Sequence, residues 1–263
     1  MRTRPAQTLD DAAAGLHALY PAPPWARGVT PKADAEFLLQ MIAIEQPRRI
    51  VELGVASGVS SAVILYALDT LPDIPGGRWL HSCDIQPTCY FDPAYATGDA
   101  VRSMYPHPRS RWVLDTDLDA RRLSQAAAGR DVDLTFIDAN HCHPWPLLDL
   151  LHMTAIARPQ SWIILHDINL PVIHAECQIW GAKWLFDAWP FEKLTGASVQ
   201  ANIGAVRLPR KLPDLIPVAA ELLHRPWEFA PTLWHVAMPA PFGPLQEIVR
   251  ARLSWSGADP VNR

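Results

Sequence analysis

The sequence has no strong excess of either charge: 23 Lys and Arg stand against 27 Asp and Glu, a formal net charge of -4. Without a basic field to gather phosphates, a grip on nucleic acid is not expected. Nowhere does an apolar run approach the roughly 18 residues of a membrane span. The opening Met1-Arg2-Thr3-Arg4-Pro5 and the residues after it hold no apolar stretch of signal-peptide length. These absences lead to the expectation of a soluble, cytoplasmic protein with no membrane partner. Cysteine is scarce, with four residues at 83, 89, 142 and 177, too few and too irregularly spaced for a disulfide framework in a chain of 263. They read as free thiols. Lysine is scarcer than arginine, 4 against 19, a bias to which no function is assigned. No internal repeat, low-complexity tract or clear linker is present.

What is abundant is apolar sequence, 49% of the chain, enough for one large domain or one domain with a modest appendage. Short apolar or β-branched runs alternate with helix-period segments, the pattern of a parallel sheet covered by helices on both faces. Five strands are predicted at Arg48 to Leu53, Arg78 to Asp84, Arg111 to Leu114, Leu134 to Asp138 and Trp162 to His166. Helices are predicted between them near Ser60 to Leu71, Pro93 to Met104, Ala120 to Ala128 and Trp145 to Ile156, each long enough for a right-handed crossover. After a further helix around Glu176 to Ala188, the runs Phe191 to Leu194 and Ile203 to Leu208 lie too close for another crossover and must pair antiparallel. The expected fold is α/β, a doubly wound seven-stranded sheet with an antiparallel last strand. Residues 1–47 are read as a helical cap, from Ala12 to Leu19 and Ala33 to Ile44. Residues 48–209 are read as the sheet domain, and 210–263 as a helical extension packed on it, near Leu215 to Leu223 and Leu245 to Leu253.

Between the first strand and its helix stands Glu52-Leu53-Gly54-Val55-Ala56-Ser57-Gly58-Val59-Ser60. A glycine turn that ends a strand and opens a helix lets a ligand approach the backbone and favours anionic groups at the helix N-terminus. Ala56 replaces the second glycine of a dinucleotide fingerprint, and no phosphate-binding lysine motif follows, so neither dinucleotide nor ATP is favoured. A carboxylate at Glu52 can meet a cationic amino group. Asp84, at the tip of the second strand, is placed to accept two ribose hydroxyls. Together they describe an adenosyl site.

In these motifs the sequence resembles the class I S-adenosylmethionine-dependent methyltransferases, and within them the small-molecule O-methyltransferases. The family pattern E-x-G-x-x-x-G-x-S is matched by Glu52, Gly54, Gly58 and Ser60. The resemblance continues through Asp84, Val113 to Asp117, Phe136 to His141 and Ile164 to Asp167, and covers roughly residues 34–208. It implies a Rossmann-like fold and S-adenosylmethionine as cofactor. Gly54, Gly58 and Ser60 would line its methionine moiety, Asp84 would bind its ribose, and Asp117 would lie near its adenine.

The fourth and fifth strands end side by side in this topology, so Asp138, His141, His166 and Asp167 should converge on the carboxyl edge of the sheet. In the catechol-type members of the family the aspartates matching Asp138 and Asp167 hold Mg²⁺, with an oxygen donor at the next position. Here that position is Ile168, which cannot ligate a hard cation, although Asn169 follows it. The family's lysine base, three residues after the first aspartate, is replaced by His141. A neutral imidazole can take a hydroxyl proton at ordinary pH. His166 is the rival base, although strand alternation points it away from Asp167. A zinc site at His141-Cys142-His143 lacks partners at the usual spacings. Trp180 and Trp184, at i,i+4 spacing, are read either as stacking surfaces for a substrate, or as core or an interface in a homo-oligomer.

The expected function is transfer of a methyl group to a hydroxyl of a small molecule, a natural product or its sugar. The alternative class is a protein of this fold that binds the cofactor without methyl transfer, as a pericyclic or regulatory scaffold.

Overall fold

The computed structural model describes residues 8–126, 131–198, 201–231 and 237–255. The start of the sequence and the expected helix end at Ala127 and Ala128 lie outside them. Helices α1 (Leu9–Ala18) and α2 (Lys32–Glu45) come first, then β1 (Arg49–Leu53), α3 (Val59–Thr70) and β2 (Trp79–Cys83). A small hairpin, β3 (Thr88–Cys89) and β4 (Asp92–Ala96), precedes α4 (Asp99–Met104), β5 (Arg111–Asp115), α5 (Ala120–Ala126) and β6 (Val132–Ile137). There follow α6 (Trp145–Met153), β7 (Ala157–His166), α7 (Leu170–Ile173) and α8 (Gly181–Ala188). The chain closes with β8 (Lys193–Thr195), β9 (Ile203–Arg207), α9 (Ile216–His224) and α10 (Gln246–Trp255).

Seven strands form one sheet in the order β5-β2-β1-β6-β7-β9-β8. The first five in that order are parallel, while β9 runs antiparallel to both β7 and β8. The doubly wound sheet with its reversed last strand is therefore as expected. Strand order changes direction between β1 and β6, which opens a crevice at their carboxyl ends.

Alternation along the strands builds two cores. Ile50, Leu80, Leu134, Phe136, Trp162, Ile164, Ile203 and Ala205 face α1, α2 and α3, where Leu16, Leu38, Ile42, Ile64 and Leu68 meet them. Val51, Leu53, Ile137, Ile163, Leu165 and Val206 face the other way, onto α5, α6 and α8. That second core also contains Leu215, Val218, Leu222, Leu223, Leu245 and Val249, so the segment after residue 210 supplies much of one face of the sheet.

Two helices differ from expectation. Over Pro93 to Met104 only Asp99–Met104 is helical, because Asp92 Oδ1 accepts the Ala94 N–H and Asp99 Oδ2 accepts the Ala96 N–H, which favours the hairpin. Gly98, at φ +82°, then turns the chain into α4. The helix expected from Glu176 begins at Gly181, where Glu228 accepts the Trp180 N–H at 2.7 Å and fixes the start.

Candidate active site

Gly54 leaves β1 at φ +85°, and a Cβ there would stand 2.2 Å from the carbonyl oxygen of Asp138. Only glycine lets the ends of β1 and β6 lie this close. Gly58, at φ +89°, caps α3 and would bring a Cβ within 2.7 Å of Gly98 Cα. The turn between the two glycines presents the N-terminus of α3 at the crevice. Just past β2, Asp84 Oδ2 accepts the N–H groups of Val55 (2.9 Å) and Ala56 (3.1 Å), and Oδ1 accepts that of Gln86 (3.0 Å). The carboxylate thus fastens the turn while remaining partly exposed at the sheet edge. Asp117 follows β5 at φ +61°, exposed and 3.5 Å from Arg122, and the next N–H, of Leu118, donates to the Asp84 carbonyl at 3.0 Å.

Glu52 is placed otherwise than expected. It is fully buried and accepts three hydroxyls, Ser60 on Oε1 (2.6 Å) and Ser61 (2.6 Å) and Ser82 (2.5 Å) on Oε2. Burial pushes its pKa up to about 7 against the pull of those hydroxyls. The carboxylate expected to meet a ligand's amino group is therefore sealed between β1, β2 and α3. The Ser60 hydroxyl is engaged with it, so only the backbone at residue 60 is left for a ligand.

Asp138 follows β6 and Asp167 follows β7, the latter at φ +58°, and both face His141. His141 Nε2 lies 3.0 Å from Asp167 Oδ2 and 3.7 Å from Asp138 Oδ1. Burial alone would raise the Asp167 pKa, but His166, His141 and the Asn202 amide, which donates to Oδ1, hold it near 2. His166 lies behind this pair and is buried. Its Nδ1 is 3.1 Å from Asp138 Oδ1 and 3.4 Å from Asp167 Oδ1, and its Nε2 is 3.2 Å from Asp34 Oδ2 on α2. Burial alone would lower the imidazole pKa, but the nearby carboxylates of Asp138, Asp167 and Asp34 hold it well above its ordinary value. His166, expected to point away from Asp167, lies behind both aspartates and within 3.4 Å of Asp167, while His141 occupies the partly exposed front.

The ligand atoms of Asp138, His141 and Asp167 lie within 4.8 Å of one another, close enough to share a cation. Ile168 is buried in the second core. Asn169 is turned aside, its amide donating to the Ala201 carbonyl at 2.7 Å. The third donor is then the His141 imidazole, and two carboxylates with one nitrogen fit a divalent cation of mixed preference better than Mg²⁺, which favours oxygen throughout. His143 points elsewhere, its Nε2 2.9 Å from the Leu222 carbonyl and its pKa lowered by burial to about 4. No zinc-type group therefore forms around His141-Cys142-His143 among the described residues. Trp184 is packed between His143 (5.2 Å), Trp180 (6.1 Å) and the Arg225 guanidinium (5.3 Å), and Trp180 is its partly exposed neighbour.

Three residues at this site were not singled out from the sequence. Asp34 had a signal, since it is a lone carboxylate on the apolar stripe of α2 that continues through Leu38 and Met41. Asn202 had none, as it reaches Asp167 only through the pairing of β9 with β7. Tyr90, exposed on the β3–β4 hairpin, has its pKa raised by partial burial and by the charges of Asp138 and Asp167.

Residues 51–168 match a sequence family described as a methyltransferase domain. Among solved structures, the cofactor-bound Rv0187 from MTB is 18% identical with a TM-score of 0.52, covering 77% of this chain and 89% of that one. An O-methyltransferase from Bacillus cereus in complex with SAH is 20% identical with a TM-score of 0.50, covering 76% and 90%. At such identities the likeness is one of fold. No curated protein matches the chain in sequence.

Proposed function

We propose, from the premise that residues 51–168 are a methyltransferase domain on the class I S-adenosylmethionine-dependent fold, that the protein methylates a hydroxyl of a small molecule. The observation that carries this reading is the meeting of Asp138, His141 and Asp167 at the carboxyl edge, directly beside the Gly54–Gly58 turn. The turn and Asp84 offer the features an adenosyl donor needs: backbone N–H groups, close approach, and a carboxylate for ribose hydroxyls. Asp117, beside the end of β2, is assigned to the adenine side.

The reaction is an in-line displacement, in which the acceptor oxygen bonds to the methyl carbon as the carbon–sulfur bond breaks and its electron pair stays on sulfur. The chain's task is to align the two reactants and to take one proton. His141 is assigned as the base: Nε2 lies against Asp167, which orients the ring, and the other nitrogen takes the acceptor's proton. Asp138, Asp167 and His141 would hold a divalent cation if one is used, and its chemistry there would be to acidify the acceptor hydroxyl. The acceptor is assigned to natural products or their sugars.

The test is calorimetric titration with S-adenosylmethionine, followed by incubation with a panel of catechols, hydroxylated polyketides and flavonoids, and glycosides, reading S-adenosylhomocysteine release. Micromolar binding with turnover of at least one panel member is expected. Absence of binding by the folded protein would refute the reading.

A further inference from the structure

We infer that Glu228, in the segment that follows α9, is a positioning residue of the reaction, holding from two sides the loop that carries His141. The inference rests on the methyltransferase reading above for its effect on rate, and on hydrogen bonds alone for the clamp itself.

The segment Arg225-Pro226-Trp227-Glu228-Phe229 sets one carboxylate between two bulky aromatics. Both aromatics are seated. The Trp227 indole donates to the Leu223 carbonyl at 3.1 Å and packs on the second core, and the Phe229 ring lies 6.5 Å from that of Trp145 at the start of α6. Glu228 is thereby fixed beside the loop between β6 and α6. Its Oε2 accepts the His143 N–H at 2.6 Å, and its own N–H donates to the His143 carbonyl at 2.9 Å. One residue thus engages both main-chain groups of His143, two positions after His141. Within the loop, the Cys142 N–H donates to Asn140 Oδ1 at 2.9 Å, which leaves little slack between Asn140 and His143.

The second oxygen works on a different element. Oε1 accepts the Trp180 N–H at 2.7 Å and so sets where α8 begins. The next residue, Gly181, lies against the same loop: a Cβ there would collide with the His141 carbonyl oxygen and stand 2.7 Å from the His143 nitrogen. One carboxylate therefore holds the loop at its far end and also holds the helix start that backs His141. Both tasks need a group with two acceptor oxygens, since an amide of the same shape turns its NH₂ toward one of the two N–H donors. Attachment of the C-terminal segment does not need this clamp, because Leu222, Leu223, Leu245 and Val249 already bury it in the second core. What the clamp adds is a fixed place for His141 opposite Asp167, whose Oδ2 lies 3.0 Å from Nε2.

The clamp is tested first without any substrate. In ¹⁵N-labelled protein the amides of His143 and Trp180 should exchange slowly with solvent. Glu228→Gln should speed exchange at one of them and Glu228→Ala at both, by about 10-fold or more, as expected for losing a hydrogen bond to a charged acceptor. In both variants the His141 backbone and ring signals, assigned by comparison with His141→Ala, should move. Free exchange of either amide in the parent protein, or unmoved His141 signals in Glu228→Ala, would overturn the inference. Should Glu228→Ala fail to fold, Glu228→Gln, which keeps the side-chain volume, carries the same comparisons. Rate is tested next, on whichever panel acceptor is turned over. The value of kcat should fall about 10-fold in Glu228→Gln and about 10²-fold in Glu228→Ala, the scale of a displaced reacting group, with S-adenosylmethionine affinity within about a factor of two. The Glu228→Ala/His141→Ala double variant should be no slower than His141→Ala, since Glu228 acts through that residue. Multiplicative losses, or lowered stability with undiminished kcat per folded molecule, would reduce Glu228 to a structural tie and refute the inference. If the parent protein fails to bind S-adenosylmethionine, the methyltransferase reading falls, and the exchange rates and His141 signals still decide the clamp.

Discussion

Replacing Glu52 by Gln should change how stability depends on pH more than stability itself. In the folded protein this carboxyl titrates near 7 in place of 4.5, because burial outweighs three hydroxyl donors. Below pH 4.5 it is protonated in both folded and unfolded chains and contributes no slope. As pH rises from 4.5 to 7 the unfolded chain releases the proton first, so folding must hold a proton the unfolded state has lost, and stability falls. Above 7 the loss is complete. A shift of about 2.5 units corresponds to about 3 kcal/mol at roughly 1.4 kcal/mol per unit. Glutamine has the shape of the protonated acid, and its amide can accept one hydroxyl and donate to another that rotates. Asp149, also raised by burial to about 7, is present in both proteins and cancels in their difference. Urea unfolding of parent and Glu52→Gln at pH 5, 6, 7 and 8 reads the effect. The variant should gain on the parent by about 2 to 3 kcal/mol across the range, chiefly between pH 5 and 7. A difference that stays flat with pH would refute the placement of a titrating carboxyl among Ser60, Ser61 and Ser82.

Asp84→Ala should weaken S-adenosylmethionine binding about 10-fold to 100-fold by calorimetry, from lost charge-assisted ribose bonds and from loosening of the Val55 and Ala56 amides it now holds; an unchanged affinity in the folded variant would disprove the ribose assignment. His141→Ala should leave that affinity nearly intact while lowering kcat by about 10² to 10⁴ in steady-state assays, and normal turnover would remove it as the base. Thorough EDTA treatment should reduce activity no more than several-fold, since Ile168, buried in the second core, withholds an oxygen donor. Complete loss restored by added Mg²⁺ would contradict that.

The sheet was legible because strand identity is written in local pattern. Each run from Arg49–Leu53 to Ile203–Arg207 is a short apolar segment whose neighbours are fixed by crossover length. The hairpin at 88–96 was not legible, since its two short strands depend on side chains of Asp92 and Asp99 bonding to backbone nearby, a preference that periodicity does not register. At the site, the aspartates and His141 follow from strand ends, and the turning of His166 to the far face follows from alternation. Glu52 was misplaced because its burial depends on Ser82, its register partner on β2, together with Ser60 and Ser61 on α3. Asp34 and His166 lie 132 positions apart, and only tertiary packing brings them to 3.2 Å.

The unequal ancestry of the two cores in the chain has a consequence for synthesis. The face built on α1, α2 and α3 draws its last members from Ile203 and Ala205, so it can close once β9 has emerged from the ribosome. The opposite face still lacks Leu222, Leu223, Leu245 and Val249 at that moment, leaving the apolar sides of β1, β6 and β7 partly uncovered. A nascent chain stalled near residue 210 would therefore carry a paired sheet with one side dressed and the other bare, the kind of surface that chaperones recognise. Helices α9 and α10, far in sequence from the Gly54–Gly58 turn, thus complete the cover of that face.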